Sequence, residues 1–193
     1  MPRAAWPLLV VYGLTFAVPR LGPPRVPPEA RWDLWPALPV APYERRRTLL
    51  QEYIPGELWG LEQKLGLLYV HVPIRMTVLR LQQGGLLVYG AVAPTQECLK
   101  LLRGLEETYG AVRFLVLPTV AVEHKSFAGP LAQQLNAEVW YCPGQYSVPI
   151  PLPLELLGFP LKGLRELPQD SASGMEMPWG SELEHKAGMW KSA

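Results

Sequence analysis

The chain is 193 residues long, and its 22 Pro and 17 Gly residues make up about a fifth of it, which excludes a helical bundle or a coiled coil. Hydrophobic residues are 49% and charged residues 18%, so the chain can form a core and is not an extended disordered protein. The formal net charge of +1 provides no overall field that would attract nucleic acid. We therefore expect one modest globular domain that binds no nucleic acid.

Residues 1–18 have the pattern of a signal-like leader. An apolar run over 4–18 follows Arg3. It is shorter than the roughly 20 residues that span a bilayer as a helix, and no comparable run follows it. We predict a targeting leader and no integral membrane anchor in the mature chain. The alternative is a buried N-terminal strand or helix, which Pro7 and Gly13 disfavour.

Residues 19–45 form a Pro-rich linker or transit segment in this interpretation. Eight Pro residues fall within 19–42, where acidic residues are scarce and no helical or strand period is present. A Pro-rich, Arg-containing stretch behind an apolar leader fits a two-part organelle address. A plain disordered spacer is the alternative.

Residues 46–168 are the predicted domain, because short apolar segments alternate there with turn signals. Strands are predicted over 67–72, ending at Pro73, then over 75–81 and over 86–90. These segments predict a strand meander. Residues 169–193 show no clear period and are predicted to be a disordered or atypical tail.

The middle of this domain predicts helices between strands. Cys98, Leu102 and Leu105 recur at helical spacing between Pro94 and Gly110, which predicts an amphipathic helix. The segments that follow are a buried strand over 113–118, a second helix over 127–136 and a strand over 137–142. Two successive strand–helix–strand crossovers predict an α/β fold, with a mixed sheet and helices on its face.

The stretch Phe114 to Pro130, FLVLPTVAVEHKSFAGP, carries the most chemical information. Its buried strand is predicted to run into a loop where Glu123 and His124 stand side by side. Loops at the C-terminal ends of strands are where α/β proteins place their sites. Glu123 and His124 are therefore the candidates for a catalytic or metal-ligating role.

This stretch, together with residues 75–102 before it and 137–160 after it, resembles the domain-of-unknown-function family 4336 of cyanobacteria and photosynthetic eukaryotes. The resemblance covers residues 58–168. That family is similar to a branch of the metallo-β-lactamase superfamily, whose fold is an αββα sandwich and whose hydrolases bind one or two metals through a His-x-His-x-Asp-His loop. The resemblance implies the N-terminal half of such a sandwich. With the leader and linker, it also implies a chloroplast or plastid location; the secretory pathway is the alternative.

The superfamily motif implies a degenerate metal site in this chain. When its final Asp-His is set on Glu123 and His124, its two earlier His positions fall on Thr119 and Ala121, which offer no imidazole. The only later His is His185, in a segment outside the resemblance. We expect no cofactor; zinc or iron is the metal that an active form would bind.

Three functional interpretations follow. The first, which we favour, is a non-catalytic binding or structural module that has lost its metal ligands and has an unknown protein partner. The second is a residual metal-dependent hydrolase that uses Glu123 and His124. The third is an incomplete fragment of such a protein, whose uncovered apolar sheet face would promote aggregation. For the Glu123–His124 pair itself, the alternative to chemistry is a loop His held by local hydrogen bonds.

The remaining reactive residues carry less information. Cys98 and Cys142 form no Cys-x-x-Cys pair, so we expect buried thiols and neither a disulfide nor a zinc ribbon. His71 is expected to be a half-buried strand residue and not a ligand. The sequence contains neither a P-loop nor a dinucleotide fingerprint, so no nucleotide cofactor is expected.

Overall fold

The computed structural model describes residues 47–67, 70–145, 154, 159, 163–168 and 177–183. The predicted leader and linker lie outside these residues. In chain order the elements are β1 (Leu49–Ile54), β2 (Leu58–Leu67), β3 (Val70–Arg80), β4 (Leu86–Tyr89), α1 (Gln96–Tyr109), β5 (Val112–Leu117), α2 (Val122–Leu135), β6 (Glu138–Tyr141) and β7 (Leu164–Glu166).

Within the described part of the chain, the strands form one sheet in the order β1 to β7. Neighbours from β1 to β4 are antiparallel, and neighbours from β4 to β7 are parallel. Helices α1 and α2 connect β4 to β5 and β5 to β6, which are the two predicted crossovers. The predicted α/β fold, a mixed sheet with helices on its face, is confirmed. None of the described helices is long and apolar enough to cross a membrane.

Helix α1 forms where the sequence predicts it. Thr95 is its N-cap, and the Thr95 hydroxyl accepts the Cys98 N–H at 3.1 Å. Gly110 ends the helix with a φ of 95°, a conformation that Gly adopts at low cost. Cys98, Leu102 and Leu105 lie on the buried face, as their spacing predicts.

Strand β3 is one continuous strand, and the prediction of two strands separated at Pro73 is wrong. Arg80 donates its N–H to the Glu57 carbonyl on the β2 side of the strand. Since alternate residues of a strand bond to opposite sides, the nitrogen of Pro73 faces the β4 side. Strand β4 pairs only with residues 77–80, so the missing N–H of Pro73 costs no sheet bond there.

The sequence analysis did not predict the hairpin of β1 and β2. Its turn is built on Pro55 and Gly56, where the Glu57 N–H donates to the Ile54 carbonyl at 3.1 Å. Gly56 has a φ of 71°, which the second central residue of a Pro-Gly turn requires. The Pro-Gly pair is the signal that could have found this hairpin.

The sheet has a different apolar cluster on each face. On one face the sheet packs against both helices. The side chains buried there include Leu61, Met76, Val88, Leu102, Leu115, Phe127, Leu131 and Val139. The second face carries a smaller cluster of Leu81, Leu87, Phe114, Val116, Trp140, Leu167, Met177 and Trp179. The helix side therefore holds the main core, and the far side holds an aromatic one.

A short turn over residues 177–183, here named the Trp179 turn, closes the second cluster. Trp179 is 3% exposed, and its ring lies edge-on to Phe114 at 5.0 Å and to Trp140 at 5.2 Å between centroids. The predicted disordered or atypical tail over 169–193 therefore does not describe this segment. The sequence showed no period there because the buried Met177 and Trp179 belong to a single turn.

Over β1–β3 the second face is polar. Arg75 donates to the Glu62 carboxylate at 2.9 Å and lies 5.4 Å from the centroid of the Tyr53 ring. That ring covers Gly60, where a Cβ would lie 2.6 Å from it. Among the described residues Tyr89 is the one exposed large hydrophobic side chain, so the uncovered apolar face that the fragment hypothesis requires is not found in this part of the chain.

The two cysteines are free thiols with different environments. Burial, with Glu97 adding, raises the pKa of Cys98 to about 12, while Cys142 is only half-buried. We expect a disulfide reagent at pH 8 to modify at most Cys142 in the folded protein and both cysteines in denaturant, because only a thiolate reacts. Two thiols titrating rapidly in the native protein would contradict this.

Candidate functional site

The C-terminal ends of β4 to β7 meet at one edge of the sheet, the position at which α/β proteins bind ligands. Loop 90–95 leaves β4 at this edge, loop 118–121 leaves β5, and loop 142–145 leaves β6. Both sequence-predicted candidates, Glu123 and His124, lie beside the β5 loop. These loops and the first turn of α2 form the candidate site.

Glu123 and His124 lie in the first turn of α2, so their predicted placement in a loop is wrong. The helix begins at Val122 instead of Phe127. Ala121 is its N-cap and makes no side-chain capping hydrogen bond, so the sequence carries no capping signal there. A carboxylate in the first turn, such as that of Glu123, stabilises a helix through its interaction with the helix dipole. Glu123 therefore has a structural role that requires no chemistry.

The end of α2 agrees with the prediction. Asn136 is the C-cap, with a φ of 52° in the left-handed region. Asn is one of the few residues besides Gly that take this conformation readily at a helix end. The length error in the predicted helix therefore lies wholly at its start.

His124 ties α2 to the loop after β4. Its Nδ1 lies 2.7 Å from the Ala91 carbonyl oxygen and 3.3 Å from the Ala91 nitrogen. The carbonyl contact needs a proton on Nδ1, whereas the Ala91 N–H, which points at the same nitrogen, would need a lone pair there. Because the carbonyl contact is the shorter by far, we assign the proton to Nδ1 and the lone pair to Nε2. Gly90 has a φ of 76°, and a Cβ there would lie 3.5 Å from Nδ1. A Cβ at that distance is in ordinary van der Waals contact, so the positive φ, and not the space beside His124, is what favours Gly at position 90.

The β5 loop is held by hydrogen bonds of its own. The Thr119 hydroxyl accepts the Ala121 N–H at 3.1 Å, and the Thr119 carbonyl accepts from Gln145 Nε2 at 3.2 Å. Gln145 Nε2 also donates to the Cys142 carbonyl at 3.1 Å. The Gln145 side chain thus joins the loops after β5 and β6.

Sequence reasoning missed both Gln145 and Lys125. The Pro143-Gly144 pair just after β6 is the signal that predicts a loop at this edge. Lys125 follows His124 and is only 2% exposed, and burial lowers the pKa of its ammonium group. A single Lys among polar neighbours normally indicates an exposed position, so no pattern points to its burial.

Two further groups near this edge, the Cys142 thiol and the Tyr89 phenol, are in surroundings that favour their protonated forms. Burial, with Glu166 adding, raises the pKa of the Cys142 thiol. Partial burial, with Cys142 adding, raises the pKa of the Tyr89 phenol, although 38% of the residue is still exposed. The Tyr141 hydroxyl donates to the Glu166 carboxylate at 3.2 Å. Because the thiolate is the reactive form, Cys142 is not activated as a nucleophile.

Among the residues that the structure describes, the donors at this edge are too few for a zinc centre, which needs three or more nitrogen, sulfur or oxygen ligands. No such group of His, Cys, Asp and Glu occurs within the residues that the structure describes. The Thr119 hydroxyl already accepts a hydrogen bond within the loop, and the Ala121 side chain has no atom that could bind a metal. His71 lies in β3 opposite Gly66, but its side chain, like all of His185, lies outside the described parts.

These features define an α/β domain with a mixed sheet and a candidate site at the edge where its parallel strands end. A family model described as "Domain of unknown function (DUF4336)" matches residues 55–189. The chain therefore belongs to this family. The match continues past Pro168, where the sequence analysis ended the resemblance, and includes the Trp179 turn. No curated protein sequence matches the chain.

The fold of this chain is similar to that of solved metallo-β-lactamase structures. A metallo-β-lactamase from Pontibacter korlensis is 11% identical with a TM-score of 0.42, over 51% of this chain and 45% of that one. The metallo-β-lactamase FIM-1 from Pseudomonas aeruginosa in its mono-zinc form is 11% identical with a TM-score of 0.48, over 64% of this chain and 52% of that one. The chain thus spans about half the length of these structures.

Proposed function

We propose that this domain is a metallo-β-lactamase-like module without hydrolytic chemistry, which serves as a binding or structural module. The closed β5 loop carries the proposal. At the motif positions that would supply two imidazoles, Thr119 bonds within the loop and Ala121 presents only a methyl group. The Gln145 bridge to the β6 loop adds to this closure. Hydrogen bonds from Thr119 and Gln145 therefore hold the loops at this edge together.

A residual metal-dependent hydrolase is the second candidate, and the tautomer of His124 favours it. Because Nδ1–H donates to the Ala91 carbonyl, Nε2 keeps a lone pair. Histidines that bind metals or act as general bases are oriented in this way. Glu123 lies in the same helical turn. This candidate requires further ligands from residues outside the described ones or from a second subunit.

Two substitutions at His124 in the full chain separate these candidates. His124→Ala removes both ring nitrogens, whereas His124→Asn keeps a donor close to the position of Nδ1 and removes Nε2. Under our proposal His124→Ala loses about 1 kcal/mol of unfolding free energy, the net value of one hydrogen bond, and His124→Asn loses less. Denaturant unfolding of the three proteins, with and without added zinc, measures both effects.

Zinc is expected to change the stability of none of the three proteins. A ligand that binds the folded state alone raises the unfolding free energy by RT ln(1 + c/Kd), where c is the free ligand concentration, so the effect grows with the logarithm of that concentration above Kd. If zinc stabilises the wild type and both substitutions abolish that effect, Nε2 is a ligand and the proposal fails. Equal losses from Ala and Asn without any zinc effect would contradict the assigned role of Nδ1.

We further propose that the chain is directed to a plastid. The apolar leader over 1–18, the Pro-rich segment over 19–45 and the sequence resemblance support this proposal. A fluorescent protein fused to residues 1–47 should accumulate in chloroplasts of plant cells. Diffuse cytosolic signal would contradict targeting, and secretion would show that the leader alone is functional.

A further inference from the structure

The Trp179 turn occupies an aromatic groove on the second face of the sheet. Phe114 and Trp140 form its floor, and both rings meet Trp179 edge-on at centroid distances of 5.0 and 5.2 Å. The buried side chain of Met177 completes the apolar contact. The Trp179 indole and the Met177 side chain together bury the turn against the sheet.

The polar attachment of the turn comes from a carboxylate three residues after that indole. Glu182 accepts the backbone N–H groups of Gln82 and Gln83 at 2.6 and 3.2 Å, in the connection between β3 and β4. The Gln83 side chain also donates to the Ser181 hydroxyl at 3.1 Å. All three bonds lie at the surface, where water can replace a lost partner at a modest cost.

A buried donor on a ring beside the turn has no hydrogen-bond partner among the described residues. Trp140 is 2% exposed, and its indole Nε1–H has no hydrogen-bond partner among the described residues. A buried donor without an acceptor is destabilising, because it has lost its water partner and gained none. The Arg165 guanidinium lies 5.5 Å from the Trp140 ring centroid and keeps its side chain 61% exposed, although it pairs with Glu138. An occupant with an acceptor at Nε1 would fit this groove better than the turn does.

We propose that the Trp179 turn is a displaceable strap over a peptide-binding groove. The occupant is a segment of a partner protein with the chemistry of the strap itself: an aromatic ring followed three residues later by a carboxylate. It also carries an oxygen acceptor for Trp140 Nε1–H. The groove lies away from the Glu123–His124 site, so this inference does not rest on the proposed function.

Fluorescence anisotropy with a labelled peptide tests the proposal on the full chain. The probe is the peptide MPWGSEL, the sequence of residues 177–183, and the control peptide has Ala in place of its Trp. Wild type, Trp179→Ala and Glu182→Gln are compared, with Glu107→Gln on the exposed face of α1 as the matched control. Circular dichroism establishes that each variant is folded.

Loosening the strap should raise the apparent affinity for the peptide, because affinity scales with the fraction of open groove. We expect an increase of about tenfold or more for Trp179→Ala and a smaller one for Glu182→Gln, with none for Glu107→Gln. If Trp179→Ala does not fold, the apparent affinity of Glu182→Gln for the peptide is the deciding measurement. Folded variants that bind neither peptide, or both equally, would overturn the proposal. If two copies of the chain form a dimer by exchanging their straps, the occupant of the groove is a second copy of this chain, and the proposal of a different partner protein is wrong.

Discussion

Replacing Trp179 by Ala is expected to lower the free energy of unfolding by about 3–5 kcal/mol, the usual cost of removing a large aromatic side chain from a core. Trp179 is buried between Phe114 and Trp140, and its loss would leave both rings partly exposed. Since a small α/β domain is stabilised by only about 5–15 kcal/mol, this loss would be a large share of the total.

Denaturant unfolding of the full chain measures the effect, with Trp179→Phe as the matched control. Phe keeps a ring against Phe114 and Trp140, so we expect it to retain part of the stability that Ala loses. If Ala changes the unfolding free energy by less than about 0.5 kcal/mol, the size of a typical surface substitution, residues 177–183 do not form part of the core.

Replacing Gln63 by Leu is expected to cost about 2–4 kcal/mol, because it leaves the buried Ala93 N–H without a partner and removes two further buried hydrogen bonds, while the Ala93 carbonyl keeps the Thr95 N–H. Gln63 is 1% exposed. Its Oε1 accepts the Ala93 N–H at 3.0 Å, and its Nε2 donates to the Ala93 carbonyl at 2.8 Å. Nε2 also donates to the Thr48 hydroxyl at 3.0 Å. One side chain thus pairs with the backbone of loop 90–95 as a neighbouring strand would.

The matched control is Gln51→Leu in β1, which makes the same chemical change at a half-buried position. We expect Gln51→Leu to change the free energy of unfolding by less than about 0.5 kcal/mol. Gln63→Glu should cost at least as much as Gln63→Leu, because the carboxylate cannot donate to Ala93 and buries a charge. Equal losses from the two Leu variants would show that the bonds to Ala93 contribute nothing.

Gln63 and His124 are expected to be coupled, since they hold adjacent parts of one loop. Gln63 pairs with Ala93, and His124 binds Ala91. Residues that share a structural element give non-additive stability changes of about 0.5–3 kcal/mol in double-mutant cycles. The double variant Gln63→Leu, His124→Ala should therefore lose less than the sum of the single losses. The position of Ala91 beside His124 would then depend on the buried contact between Gln63 and Ala93 in the same loop.

Elements that local sequence patterns encode were predictable, and those that distant contacts decide were not. Helix α1 combines a helical period with Pro94 before its start and Gly110 after its end, so the sequence locates it within two residues. The start of α2 has no capping side chain at Ala121, and its prediction failed there. Pro73 was taken as a strand end because the sequence does not reveal that β4 stops short of it.

Glu123 and His124 lie at the predicted edge of the sheet, but in helix α2 and not in a loop. The buried strand before Thr119 indicated the edge of the sheet where Glu123 and His124 lie. The contacts that define their roles join residues far apart in the chain: His124 with Ala91, and Thr119 with Gln145. No single-sequence pattern encodes such pairs.

Elemental analysis of the purified full chain, with His124→Ala beside it, tests the central claim most directly. Our account holds that the edge of the sheet is closed by Thr119, Gln145 and His124 and is not a metal centre. It predicts zinc, iron and manganese at background levels in both proteins. A metal held at close to one equivalent per chain in the wild type and lost in His124→Ala would contradict it and establish the hydrolase alternative as the better starting point.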